Sequence, residues 1–303
     1  MKMAAIDVGT NSCRLLIAIK KNDDYKVLKK KLITTRLGEG VDNNKYLKKE
    51  AIDRTISALG KFNSLLNKYN VKKVGMVGTS ALRDVVNSDV FVKKVNKTTG
   101  YNIKIISGAE EARLNYLGVK TDTNFSEFMV MDIGGGSTEF IWPEDGKINY
   151  KSINIGAVRL TERFIVNPSE TVKYFEEKSM KEEIYDKISI ISKHNLSKYE
   201  LVGVGGTITT LGAMEEKLEE YKSEIIHNYK LNLDEVKEWQ YRLKEMNIND
   251  RKKVKGLQPK RADIIVAGVT ILQEFMKEMG YYNLYISERD ILFGILERLT
   301  KQN

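Results

Sequence analysis

The chain carries one pattern twice. AAIDVGTNSCRLLI (residues 4–17) and VMDIGGGSTEFI (residues 130–141) each run apolar strand, Asp, apolar residue, Gly, small residues, Ser and a second apolar strand. Asp7 aligns with Asp132, Gly9 with Gly134 and Ser12 with Ser137, all at an offset of 125. A second pair follows in the same order: KKVGMVGTSALR (72–83) and ELVGVGGTITTL (200–211), which align Thr79 with Thr207 at an offset of 128. Two matches in register at nearly equal spacing imply a duplicated domain.

The segments between them agree. NDDYKVLKKKLITTRLG and EDGKINYKSINIG both read as a charged turn followed by a strand. Each half then turns helical. In KEAIDRTISALGKFNSLLNKY, Ile52, Ile56, Leu59, Phe62 and Leu66 recur at helix spacing, and ETVKYFEEKSMKEEIYDKISIIS takes the same place in the second half. ITTLGAMEEKLEEY (208–221) and LDEVKEWQYRLKEM are amphipathic and are expected to be helical throughout. KRADIIVAGVTILQEFMKEMG is expected to form a helix beginning after Pro259 and ending near Gly280, and RDILFGILERLT a last one. Strands first, then alternating helices and strands, predict an α/β fold of two domains facing a cleft. The expected domains are 1–121, joined by a C-terminal helix at about 289–303, and 122–288.

Composition narrows the class. With 303 residues and 42% hydrophobic content the chain has material for two cores. The single cysteine, Cys13, excludes an internal disulfide framework and fits a reducing cytosol. Asp7 interrupts the apolar start, so no secretory leader is expected, and no apolar run is long enough for a membrane span. Aromatic residues are not interleaved with basic ones as a stacking platform would require, so nucleic acid is not an expected partner. His194 and His227 sit in charged segments read as helical surface, and Trp142 reads as packing. The net charge of +9 is satisfied either by a solvated lysine surface or by a polyanionic ligand.

The glycines favour the ligand. Glycine inside a strand costs about 0.5–1 kcal/mol against alanine, and one would serve a hairpin. Three in a row, Gly134, Gly135 and Gly136, let backbone N–H groups converge on an anion. Ser137 and Thr138 add hydroxyls. Asp132 and Glu139 flank the loop, and two carboxylates beside phosphate oxygens require a cation, for which Mg²⁺ is suited and Mn²⁺ the alternative. The sister loop offers Thr10, Asn11 and Ser12, with Arg14 on the same strand face as Ser12. The GT loops add Thr79, Gly206 and Thr207, and Arg83 lies four residues past Thr79.

DVGTNSCRLLI, GTSALRD, ISGAEEARLNYLGV, DIGGGSTEF and GVGGTITTLGAM, in this order, resemble the exopolyphosphatase/guanosine pentaphosphate phosphohydrolase family. That family belongs to the acetate kinase, sugar kinase, heat-shock chaperone and actin superfamily. RLGEGVDNNKYLKKEAIDR and the tail ISERDILFGILERL are also family-like, so the resemblance covers nearly the whole chain. It departs in having Thr10 where many members have Ser, and in lacking the HD-type helical domain of longer members. It therefore looks like the short form, with two actin-like (ribonuclease H-like) domains.

The resemblance implies cytoplasmic hydrolysis of the terminal phosphoanhydride of polyphosphate, or conversion of guanosine pentaphosphate to the tetraphosphate. A homodimer is compatible with it. It makes Glu111 the general base, with Glu110 its neighbour, although two acids at a helix start also serve as an N-terminal cap. It gives Asp132 and Glu139, with Asp7 as a further candidate, to the metal. Thr10, Asn11, Ser12, Gly134, Gly135, Gly136, Ser137, Thr138, Gly206 and Thr207 go to phosphate, and Arg14 and Arg83 to the remaining charge. Arg261 either shares that role or is a surface arginine. Lysines in KVLKKKL, KKVNK and NDRKKVKG would line a track for a long polyanion, or are solvated faces. The rival expectation is a kinase or a chaperone- or actin-like ATPase of the same superfamily.

Overall fold

The computed structural model describes residues 1–22, 24–83 and 85–301. Asp84, the last residue of GTSALRD, and the final two residues of the expected C-terminal helix lie outside the described residues. The chain divides into two compact units, Met1–Thr123 with Arg289–Asn303, and Asn124–Glu288.

The first unit holds a sheet of β1 (Lys2–Val8), β2 (Ser12–Lys21), β3 (Asp24–Thr34), β4 (Lys73–Gly78) and β5 (Lys104–Ile105). Their order is β3-β2-β1-β4-β5. β1, β2 and β3 form an antiparallel meander, and β4 runs parallel to β1 and β5 to β4. Strand alternation sends side chains to both faces. Ala4, Ile6, Val8, Cys13, Leu15 and Ile17 meet α2 (Lys49–Lys68) and α4 (Ser88–Thr99) through Leu59, Phe62, Phe91 and Val95. Met3, Ala5, Leu16 and Ala18 meet Leu114 of α5 (Gly108–Lys120) and Phe293, Ile295 and Leu296 of the C-terminal helix α13 (Ile291–Thr300). Asp7 and Arg14 belong to this second face by the same alternation. Two short helices, α1 (Val41–Asn44) and α3 (Ser80–Arg83), complete the unit.

α5 and α13 pack with their backbones in contact. A Cβ on Gly118 would lie 1.9 Å from the Asp290 carbonyl oxygen, and one on Gly294 would lie 1.9 Å from that of Leu114. Only glycine permits that approach.

The second unit holds β6 (Phe128–Ile133), β7 (Thr138–Glu144), β8 (Lys147–Ile153), β9 (Glu200–Val204), β10 (Lys230–Asn232) and β11 (Asn283–Ile286), in the order β10-β11-β9-β6-β7-β8. Read from β8, the order 8-7-6-9-11 repeats 3-2-1-4-5 of the first unit, with β10 added at the edge. The duplication seen in the sequence is thus a duplication of topology. The Asp145–Gly146 turn closes β7 onto β8 with both residues at positive φ, the conformation a two-residue hairpin needs. Seven helices cover the sheet: α6 (Ala157–Phe164), α7 (Tyr174–Ile188), α8 (Gly206–Glu215), α9 (Ser223–Ile226), α10 (Leu233–Glu245), α11 (Ile248–Arg251) and α12 (Ile265–Glu278). α12 is buried almost all round, and its Phe275 packs on Phe140 of β7 at 4.6 Å between ring centroids.

Three expectations are corrected. The helix from 208 stops at Glu215 instead of continuing to Tyr221. Lys217 takes a left-handed conformation (φ 49°), and the N–H groups of Lys217 and Leu218 return to the carbonyls of Met214 and Ala213, a Schellman termination without glycine. The helix expected after Pro259 is a 3-10 turn, Pro259–Arg261, with α12 starting only at Ile265, so Arg261 lies outside the long helix. His227 is half-buried just past α9, where its Nδ1 accepts from the Glu288 N–H. The lysines of KVLKKKL lie on β3, an edge strand, where exposed Lys26, Lys29 and Lys31 also deter edge-to-edge pairing.

Candidate active site

In the first unit the β1–β2 loop is held from one side. Thr35 and Arg36 donate their N–H groups to the Asn11 carbonyl and Gly38 to that of Thr10, at 2.9–3.0 Å. Arg36 adopts positive φ (50°) to do so. The Thr10 hydroxyl bonds that of Ser80 at 2.8 Å. What remains is unusual. Both amide atoms of Asn11, the Ser12 Oγ and the Asp7 Oδ1 are buried without a hydrogen-bond partner. A buried polar atom left unpaired costs about 1–3 kcal/mol, so four at one hairpin mark a place built for something polar.

Beside this loop, α3 carries Arg83. Its Nη1 donates to the Ile106 carbonyl at 3.1 Å and to Glu111 Oε2 at 2.6 Å. Glu111 is in the first turn of α5, which Ser107 caps by accepting from the Glu110 N–H. The two adjacent acids part company: Glu111 is 8% exposed and faces Arg83, whereas Glu110 is bound on the surface side by Lys104 and Arg298. Arg14 is engaged by carboxylates. Its Nε and Nη2 donate to Asp7 Oδ2 at 2.9 and 2.7 Å, and its Nη1 donates to Asp290, the N-cap of α13. Burial pushes the Asp7 carboxyl above the usual aspartate range, and Asp290 adds to this, while the Arg14 guanidinium pulls against it.

In the second unit the glycine triplet turns its carbonyls into the start of α6. Ala157 donates to Gly134, Val158 and Arg159 donate to Gly135, and the Arg159 Nε donates to the Gly136 carbonyl at 2.7 Å. A Cβ on Gly156 would lie 2.5 Å from the Gly135 oxygen, so the loop and the α6 start touch backbone to backbone. Gly156 and Arg159 were not among the sequence candidates. The signal for them was NIGAVR after the third strand, whose counterpart TTRLG braces the first loop. Ser137 and Thr138 are buried, and the Thr138 hydroxyl donates to Ile155.

Asp132 and Glu139 are register partners on β6 and β7. Opposed residues on antiparallel strands stand about 4.5–5.5 Å apart, and like charges there repel. Glu139, 1% exposed, accepts from the Ser152 hydroxyl at 2.8 Å. Asp132 Oδ1 lies against Gly205, which caps α8 at φ 90°. At the α8 N-terminus, where the helix dipole favours anions, Arg261 lies over Gly206: a Cβ there would fall 2.0 Å from its Nη1. Arg261 is therefore part of the loop and not a free surface residue. Thr207 is pinned against Gly268 of α12.

A model of the Ppx/GppA phosphatase family matches residues 16–302. The chain belongs to that family. It is 40% identical over 306 residues to a bifunctional 3-dehydroquinate synthase/phosphatase of Fusobacterium nucleatum, covering 97% of this chain and 46% of that protein. It is 34% identical to an exopolyphosphatase 2 of Mycobacterium tuberculosis, covering 97% of each. It is 32% identical to a guanosine-5'-triphosphate,3'-diphosphate pyrophosphatase of Aliivibrio fischeri, over 98% of this chain and 59% of the relative. The crystal structure of the Aquifex aeolicus family member superposes with a TM-score of 0.84 at 30% identity, covering 100% of this chain and 99% of that one. The paired α/β units are the actin-like fold of the Ppx/GppA proteins.

Within this Ppx/GppA protein the repeat has diverged at one informative point. Arg14 and Glu139 are equivalent, 125 positions apart, and each faces the repeat's Asp across the hairpin. The first unit sets an arginine opposite Asp7; the second sets a carboxylate opposite Asp132. Among the described residues no three His, Cys, Asp or Glu side chains gather as a metal cage. A buried pair of carboxylates fits Mg²⁺ nonetheless, since that ion keeps several waters and takes one or two protein carboxylates plus phosphate oxygens. No helix among the described residues is long and apolar enough to cross a membrane.

Proposed function

We propose that this chain hydrolyses the terminal phosphoanhydride of inorganic polyphosphate, releasing orthophosphate, and that it also removes the terminal 5′ phosphate of guanosine pentaphosphate. The observation that carries this is the set of buried, unpartnered polar atoms at Asp7, Asn11 and Ser12, on the unit that also holds the Arg83–Glu111 pair.

Phosphoryl transfer needs positioning and charge neutralisation more than covalent chemistry. The Asn11 amide and Ser12 hydroxyl donate to phosphate oxygens that replace their missing partners. In the second unit, the N–H groups of Gly135, Gly136 and the α8 N-terminus supply further donors, with Arg261 beside them, while the Gly134 N–H closes the loop onto the Ser137 carbonyl. Asp132 and Glu139 would hold Mg²⁺ or Mn²⁺, which neutralises phosphate oxygens when bound. Glu111 orients a water and takes its proton as the water oxygen bonds to the terminal phosphorus. The anhydride P–O bond then breaks, and its electron pair leaves on the shortened chain. Arg83 fixes the Glu111 carboxylate and, as the water's proton arrives there, becomes available to the departing phosphate. We infer a cytosolic enzyme, in keeping with its single cysteine, Cys13, which is free and buried.

Phosphate release with Mg²⁺ from long-chain polyphosphate and from guanosine pentaphosphate tests this. Wild type releases phosphate and Glu111→Ala loses most of the rate while still binding polyphosphate. Equal turnover by both proteins would refute the assigned base, and turnover of ATP alone would refute the substrate class.

A further inference from the structure

Tyr221 is oriented the reverse way for a surface tyrosine. Such residues usually bury the ring and wet the hydroxyl. After the Schellman turn at Lys217, the chain returns along α8 and delivers the Tyr221 hydroxyl to Glu288 Oε1 and the Thr209 hydroxyl, within electrostatic reach of Arg261. With its hydroxyl tied down in this way, the residue is nevertheless 42% exposed. The hydroxyl end is held at both removes. Glu288 donates its backbone N–H to His227 Nδ1 at 3.1 Å, and the Thr209 hydroxyl donates to the Gly205 carbonyl at 3.1 Å. Thr209 is in the first turn of α8, and Arg261 covers Gly206 in the same turn. A fixed aromatic face, a carboxylate and a guanidinium therefore stand beside the helix N-terminus assigned above to phosphate.

We propose that Tyr221 is a stacking platform for the base of a guanine nucleotide, with the Glu288 carboxylate accepting from the ring N–H and amino group of guanine. This rests on the phosphate assignment of the α8 N-terminus and deepens it, because it names the part of the molecule that distinguishes a nucleotide from bare polyphosphate. Base stacking on an aromatic side chain changes affinity by about 5- to 150-fold per base. Guanine presents two adjacent donors on its pairing edge where adenine presents one donor and one acceptor, and a carboxylate only accepts. Polyphosphate has no base and gains nothing from either residue.

The full chain and its Tyr221→Ala, Tyr221→Phe and Glu288→Gln variants are compared on both substrates, with calorimetric titration of guanosine tetraphosphate, GTP and ATP alongside. Tyr221→Ala is expected to raise KM for guanosine pentaphosphate, and Kd for guanosine tetraphosphate, about tenfold or more, with the kinetics on polyphosphate unchanged. Tyr221→Phe keeps the ring and shows a smaller loss; Glu288→Gln removes the preference for GTP over ATP. Equal losses on both substrates in Tyr221→Ala would make the residue structural and overturn the platform. No change in nucleotide affinity would do the same. Wild type that cleaves polyphosphate but binds no guanine nucleotide overturns the platform and leaves the hydrolase intact. Wild type that binds guanosine tetraphosphate through Tyr221 but cleaves neither substrate overturns the hydrolase and leaves the platform.

Discussion

Arg83 and Glu111 form a half-buried ion pair, Nη1 to Oε2 at 2.6 Å, although they are 28 residues apart. The pair joins the end of α3 to the first turn of α5, and it fixes where the carboxylate stands. Glu111→Gln keeps the shape and removes the basicity. Its kcat on polyphosphate is expected to fall by about 10²- to 10⁴-fold, the usual worth of a positioned base, with KM within a few-fold of wild type. Combining it with Arg83→Gln should cost little more than either alone, because the two act as one unit. Full additivity in a double-mutant cycle of phosphate-release rates would show that they act separately.

Asp132 and Glu139 face each other across β6 and β7. Their mutual repulsion is relieved by a bound cation or by neutralising one of them. Chelation is therefore expected to abolish phosphate release and to lower the melting temperature, and Mg²⁺ to restore both. Glu139→Gln should reverse the thermal order: the chelated variant melts higher than chelated wild type, and Mg²⁺ no longer stabilises it. Scanning calorimetry with and without Mg²⁺ reads this without activity. A metal response unchanged in Glu139→Gln would remove that residue from the ion.

The repeat made much of this legible in advance. Aligning Asp7 with Asp132 identified both hairpins, and the strand order of the two units bears out the duplication. The α8 end was missed because its left-handed terminus falls on Lys217, where glycine is the usual signal. Arg159 and Gly156 were missed because what they meet is the backbone of the glycine loop, and their signal, NIGAVR against TTRLG, shows only when the repeat is followed past its third strand. Arg14 looked like a phosphate ligand from its strand face alone. Its engagement by Asp290, 276 residues away, depends on where the C-terminal helix docks.

Gly118 and Gly294 sit inside helices, where alanine normally stabilises by about 1 kcal/mol. Here the sign is expected to reverse. A methyl at either position meets backbone carbonyl atoms within 1.9 Å, and backbone cannot swing aside as a side chain tip can. Each Gly→Ala variant should lose about 1–3 kcal/mol in urea unfolding. Gly60→Ala in α2, whose Cβ would make only an ordinary contact with Thr98, serves as the control and should hold or gain stability. Loss in all three alike would mean that helix packing is not the cause.

Arg251 is fully buried, and its guanidinium donates to the carbonyls of Leu243, Pro168, Glu170 and Ala262. It joins the end of α10 to two loops through a planar fork that no other side chain reproduces. Arg251→Lys is therefore expected to be nearly as destabilising as Arg251→Met, by about 3 kcal/mol or more, since both leave several buried carbonyls unpaired. Urea midpoints of the two variants decide it. Recovery by lysine would show that charge, not the donor fork, is what the site requires.

Cys13 lies on β2 with its Sγ 3.7 Å from the Thr35 hydroxyl, and Thr35 in turn braces the Asn11 loop. Burial pushes the thiol from 9.0 up to about 12, opposed by the contact with Thr35. The folded chain thus keeps its proton where the unfolded chain has lost it. The resulting stability is complete below about pH 9 and is lost as pH rises towards 12. Against Cys13→Ala, wild type should lose on the order of 1–2 kcal/mol between pH 8 and about pH 10.5, read from urea unfolding at each pH. The same burial predicts that a thiol reagent at pH 8 labels Cys13 only at the rate of unfolding, and that polyphosphate, by filling the adjacent loop, slows labelling further. Rapid labelling of the native protein, unaffected by polyphosphate, would mean that the hairpin opens on its own and that the Asn11 loop is not the rigid anion site drawn from it.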